Sequence, residues 1–209
     1  MDIQMALFQI VVLIFSAVVH EVSHGFVANA LGDPTAKNMG RLTLNPLKHL
    51  EWFGSFLLPL LMYFGTAGRF MFGWAKPVPY NPSNLKDPRW DSAYIACAGP
   101  LANFSIAIVF GLLLRFVPFS ENTAFVLLPE LFTVIVFINI LLGVFNLVPI
   151  PPLDGSKVLF AFLGNEQEGV VRFLEQNGLM LLLLFMFFGF GLIMPIIDFL
   201  FSVITGFRL

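Results

Sequence analysis

The stretch "IQMALFQIVVLIFSAVVHEVSHGFVANAL", residues 3–31, runs without a charge through residue 19 and then carries His20, Glu21, Ser23 and His24. A helix needs about 20 apolar residues to cross roughly 30 Å of hydrocarbon, so this run is long enough to span a bilayer. Each ionisable group at such depth costs on the order of 2.5 kcal/mol or more on insertion scales, and such residues are seldom carried without a use. The fold and the site are therefore read from the same helix.

The rest of the chain agrees with a membrane setting. Of 209 residues, 58% are hydrophobic and only 11% charged, with 26 Phe and a mean hydropathy of +0.87, well beyond the apolar share of a soluble domain. Further stretches nearly free of charge lie at 52–68, 92–114, 131–153 and 176–197, of which 52–68 is marginal for a span. The expected fold is all-α and polytopic: about four transmembrane helices, a re-entrant or interfacial segment near 52–72, and short strand-like loops. One membrane-embedded domain is expected over 1–209, with a core at 3–165 and a C-terminal helix at 176–205.

Several classes fall away. Met1 and Asp2 offer no basic n-region and the first apolar run is too long for a cleavable signal, so it is expected to stay as an anchor. The single cysteine, Cys97, excludes an intrachain disulfide and a cysteine-based zinc site. A net charge of −2 with scattered basic residues gives no stripe for nucleic acid.

In "HEVSH", His20 and His24 lie four residues apart and share one helix face, where both imidazoles can reach one metal ion. This suits zinc hydrolysis: the metal acidifies a water toward a pKa of about 7 and Glu21 removes its proton as general base. A catalytic zinc normally has three protein ligands, so a third is needed. His49 and Glu51 in "LKHLEW" and Asp154 in "VPIPPLDGSK" are the candidates. The first two sit among Lys48 and Trp52 in a segment that reads as a headgroup anchor. Asp154 follows Pro149, Pro151 and Pro152, which break the preceding helix. Irregular backbone at membrane depth is tolerated where it is buried or lines a watery cavity, and this favours Asp154.

If Asp154 joins the histidines, the first helix and the helix before Asp154 must end on the same face. One intervening stretch then cannot cross, and 52–72, with its central Pro59 and its glycines, is the expected exception. With that segment re-entrant, Lys37, Arg41, Lys48, Arg69, Lys76, Lys86, Arg89, Lys157 and Arg172 share the site's side, leaving Arg115 and Arg208 opposite. That bias places the site toward the cytoplasm. The stretches "MGRLTLNP" and "GWAKPVPYNP" on that side read as strand-like and could accept an extended substrate by strand addition. Asn146, eight residues before Asp154, is the expected oxyanion donor.

With "HEVSH", "GRLTLNPLKHLEWFGSFLLP", "GWAKPVPYNP", "AGPLANF" and "FNLVPIPPLDGSKVL" in this order, the chain resembles the site-2 protease family of intramembrane zinc metalloproteases. It looks like the short bacterial or archaeal kind without a PDZ or CBS domain, and the likeness covers roughly residues 15–165. The resemblance implies one Zn²⁺ per chain on His20, His24 and Asp154, Glu21 as general base, and Asn146 steadying the transition state. It also implies a transmembrane protein substrate, cleaved within a prokaryotic cell membrane to release a cytoplasmic fragment. Glu51-Trp52 and Gly155-Ser156-Lys157 depart from the Asp-Pro and Gly-Gly-Arg expected there, at positions that bear on substrate handling. A second reading from another class is a membrane zinc carrier or sensor without hydrolytic activity, for which the non-ligand Glu21 would have little use.

Overall fold

Helices that are apolar almost all round can be covered only by lipid or by each other, and both happen here. The computed structural model of the chain describes residues 3–49, 51, 57, 61, 64, 76–118, 127–164 and 167–208. In chain order the helices are α1 (Ile3–Ala30), the short α2 (Thr35–Asn38), α3 (Pro88–Phe116), α4 (Leu128–Asn146), α5 (Asp154–Phe162), α6 (Glu168–Leu184) and α7 (Phe190–Thr205). A π-helical turn, Phe185–Gly189, joins α6 to α7. The spans are α1, α3, α4 and the continuous α6–α7, each long and apolar enough to cross a membrane, as expected for four transmembrane helices.

Local chemistry sets the helix ends. At the end of α1 the Gly32 N–H donates to Asn29 O and the Asp33 N–H to Ala28 O. This is the Schellman pattern, and it requires the positive φ of 108° that Gly32 supplies. Asp87 caps α3 by accepting from the Arg89 and Trp90 N–H groups, while the Asp87 N–H donates to Asp91. α4 stops at Asn146, short of the run to 153 read from composition. Pro149, Pro151 and Pro152 have no N–H to offer and disfavour helix in the residues before them, so the end is pulled back.

α3 is the hub, packed against α1, α4, α5 and α7. Ala107 of α3, Val136, Ile140 and Val144 of α4, and Ile193, Ile197 and Phe201 of α7 form one buried core. On α1 the buried residues Val12, Ser16, His20, His24 and Ala28 recur every fourth position. That stripe faces α3, whereas Leu7, Phe15 and Phe26 are exposed on the face left to lipid.

Side-chain bonds show which helix ends lie together. Asp33, just beyond α1, accepts from Asn84 Nδ2 ahead of α3, and Arg89 at the start of α3 donates to Ala161 O of α5 at 2.7 Å. At the other end of α3, Arg115 donates to Val203 O of α7. The end of α1, the start of α3 and α5 thus share one face, and the ends of α3 and α7 share the opposite one. The expected non-spanning segment, 52–72, lies outside the described residues apart from isolated positions. Its flanks meet: the Lys76 N–H donates to His49 O at 2.7 Å.

The strand-like loops need correction, because no strand occurs among the described residues. Residues 41–45 and 76–81 are irregular backbone. Pro46, Pro77 and Pro79 remove the donors a ladder would use. Side chains bind that backbone instead: Arg41 Nη2 donates to Lys76 O at 2.9 Å, and Asp33 accepts from the Asn81 N–H at 2.7 Å.

Candidate metal centre

His20 and His24 lie one above the other on α1, with ring centroids 4.7 Å apart and planes near perpendicular. Each is fixed by its Nδ1. His20 Nδ1–H donates to Asn103 Oδ1 of α3 at 2.6 Å, and His24 Nδ1–H donates to Ile95 O of α3 at 2.6 Å. A carbonyl oxygen can only accept, so in the neutral rings both Nε2 atoms carry lone pairs. Both point at one carboxylate oxygen: Asp154 Oδ2 is 3.0 Å from His20 Nε2 and 3.3 Å from His24 Nε2.

Three electron-pair donors facing one another are unfavourable unless a positive charge lies between them. A single cation between them would satisfy all three at once. Two imidazoles and a carboxylate are a zinc-type donor set, with the second nitrogens hydrogen-bonded as such ligands require. His20, Glu21 and His24 also present ligand atoms within 4.8 Å of one another. Glu21, however, is partly committed elsewhere, since its Oε2 accepts from the Val78 N–H at 2.8 Å.

Packing leaves room for this cluster at a glycine. A Cβ on Gly99 of α3 would fall 2.5 Å from His20 Nε2 and 2.6 Å from His24 Nε2. On the other side, α5 begins at Asp154, which places its carboxylate in the first turn, where the helix dipole favours negative charge. Gly155 lets that turn press on the preceding loop, as a Cβ there would meet Leu147 O at 2.1 Å.

The strap at 76–81 that carries Val78 is anchored through Asp33. Asp33 is fully buried and accepts from Thr35 Oγ1 at 2.5 Å, Asn84 Nδ2 at 2.6 Å and the Asn81 N–H. Burial pushes its carboxyl up, but the hydrogen bonds from Thr35, Asn84 and Asn81 outweigh it and hold the pKa below the ordinary value.

Of the residues singled out in the sequence, His20, His24 and Asp154 converge, with Glu21 alongside. His49 is buried in the loop, and its Nε2 donates to Thr43 O at 2.8 Å. Asn146 donates from Nδ2 to Leu142 O at 3.0 Å, back along its own helix. Asn103, like Asn139, enters the sequence reading only as an amide on another stretch of helix than Asn146, and Gly99 and Asp33 do not enter it. Asn103 had a usable signal, an amide in the middle of an apolar span. Gly99 and Asp33 had none without a partner in view.

The chain matches the profile of peptidase family M50 over residues 8–126 and 117–189. It is 40% identical over 154 residues to YwhC of Bacillus subtilis, provisionally named a zinc metalloprotease, covering 72% of this chain and 66% of that protein. Rip2 of Mycolicibacterium smegmatis, also provisionally named a zinc metalloprotease, is 30% identical over 168 residues, 80% of this chain and 62% of Rip2. The zinc metalloprotease MJ0392 of Methanocaldococcus jannaschii is 36% identical over 81 residues, 39% of this chain and 22% of that protein. The chain thus spans just under two thirds of the length of the first two relatives. No solved structure matches.

Proposed function

The chain is an integral membrane protein that belongs to peptidase family M50, the site-2 protease family, and on that premise we propose that it hydrolyses peptide bonds of transmembrane substrate helices. The observation that carries the reading is the convergence of His20 Nε2, His24 Nε2 and Asp154 Oδ2 at the end of a membrane span.

His20, His24 and Asp154 would hold the zinc. When bound there, the metal supplies Lewis-acid chemistry to a water and to the scissile carbonyl. Glu21 takes the proton of the attacking water and returns it to the leaving amine. Its bond from the Val78 N–H holds the carboxylate beside the ligands. Asn146 serves the developing oxyanion by turning its amide away from Leu142 O. The basic bias of the loops supports a site on the cytoplasmic side, from which cleavage would release a cytoplasmic fragment, the outcome of regulated intramembrane proteolysis. The described flanks of the expected non-spanning segment lie together, the Lys76 N–H donating to His49 O.

The test is cleavage of a single-span model substrate by the purified chain in detergent, with the cut mapped by mass spectrometry. Cleavage inside the apolar segment, abolished by a chelator and restored by zinc, is expected. Binding of one zinc with no cleavage of any span would favour the carrier or sensor reading instead.

A further inference from the structure

Beyond the ligands, α1, α3 and α4 share a chain of buried polar groups that the catalytic reading does not use. Asn103 and Asn139 are each 0% exposed and Ser16 is 5% exposed. Asn139 Nδ2 donates to Ile135 O at 2.9 Å and to Ser16 Oγ at 3.0 Å. Asn103 Nδ2 donates to Asn139 Oδ1 at 2.9 Å and to Ser16 O at 3.3 Å. The last link is His20 Nδ1–H to Asn103 Oδ1.

The chain has a direction, and its direction is imposed from the far end. Ile135 O is a backbone carbonyl and can only accept, so the NH₂ of Asn139 must face it and Oδ1 must face Asn103. Asn103 then has to turn its NH₂ toward Asn139 Oδ1 and Ser16 O, which leaves its Oδ1 for His20. His20 in turn must carry its proton on Nδ1, and its lone pair is left on Nε2, toward Asp154. In an apolar interior a reversed amide would set acceptor against acceptor with no water to relieve it, which makes the alternative costly.

We propose that Asn139 and Ser16 are positioning residues that, acting through Asn103, fix the tautomer and ring orientation of His20 for metal binding. The proposal rests on the zinc reading of the site for its metal readout, and on the hydrogen-bond directions alone for the tautomer. A helix-packing amide would explain the burial of Asn139 but not an effect on the metal-facing nitrogen.

Two measurements on the full chain in detergent test it. First, in metal-free protein labelled with ¹⁵N-histidine, the nitrogen–proton correlation pattern assigns each tautomer; the expected result is Nδ1–H for His20 and Nε2–H for His49, whose Nε2 donates to Thr43 O. Nε2–H at His20 in the wild type would overturn the proposal without any variant. Second, zinc affinity is measured by chelator competition. Asn139→Leu should weaken it about 10-fold and Asn103→Leu about 10- to 100-fold, the range for groups that orient metal-bound histidines. The double variant should bind no more weakly than Asn103→Leu alone, because Asn139 acts through Asn103. Ser16→Ala, which leaves the amides in place, should shift affinity in the same direction by less. Unchanged affinity in Asn139→Leu, or losses that multiply, would overturn the proposal. Wild-type protein that binds no zinc yet shows Nδ1–H at His20 would sink the metal reading and leave the relay standing.

Discussion

Asp154 Oδ2 lies 3.0 Å from His20 Nε2 although 134 residues separate the two. The contact brings the turn after α4 onto the last third of α1. It therefore defines the donor set and the relative topology together.

The carboxylate should be a ligand in its own right. Asp154→Asn keeps the shape and removes the charge, so zinc affinity by chelator competition is expected to fall by more than about 100-fold, the upper range for groups that only support a ligand. Helix content measured by circular dichroism should be unchanged. Retention of wild-type affinity would assign the third ligand elsewhere.

Gly99 sets how closely α3 can approach the histidines. In Gly99→Ala the new Cβ would fall 2.5 Å from His20 Nε2, and both rings are tethered through Nδ1, so they cannot simply swing away. Overpacking of this kind costs about 1–3 kcal/mol. Expected are a lower unfolding temperature and zinc binding weakened at least about 10-fold, read by thermal unfolding and competition. Normal affinity would mean the rings have slack that the structure does not show.

Asp33 predicts an acid-sensitive anchor. Its folded pKa is below the ordinary carboxylate value, so its contribution is fully present above the unfolded value of about 3.9 and is lost as pH falls through the folded pKa. Asp33→Asn should be less stable at pH 7 by about 1–3 kcal/mol, because donors from Thr35, Asn81 and Asn84 lose their charged acceptor. Its unfolding temperature should also fall less steeply than the wild type's below about pH 4. Identical acid limbs for the two proteins would contradict the assignment.

How much of this is legible in the sequence depends on the range of the interaction. α1 and its two histidines are legible because helical spacing is local, and the stripe of Val12, Ser16, His20, His24 and Ala28 follows from it. Asp154 is legible only through topology, since a third ligand must come from a helix ending on the same face. The end of α4 at Asn146 differs from the run to 153 because Pro149 acts on the residues before it. The strand-like loops form no strand among the described residues for a related reason: prolines remove N–H groups, and Arg41 and Asp33 take the backbone partners. Asn103 and Asn139 show as polar residues in apolar spans, but their polarity toward His20 needs three helices in register. Asn146 shows the converse, an expected site residue whose amide is bonded along its own helix.

Glu21→Gln tests the central claim most directly. Glu21 stands beside the ligands, so in the protein purified in detergent the variant should hold one zinc per chain, as the wild type does, while its cleavage of a single-span substrate falls about 10²- to 10⁴-fold, the usual contribution of a positioned general base. A variant that keeps its zinc and cuts as fast as the wild type would contradict the account.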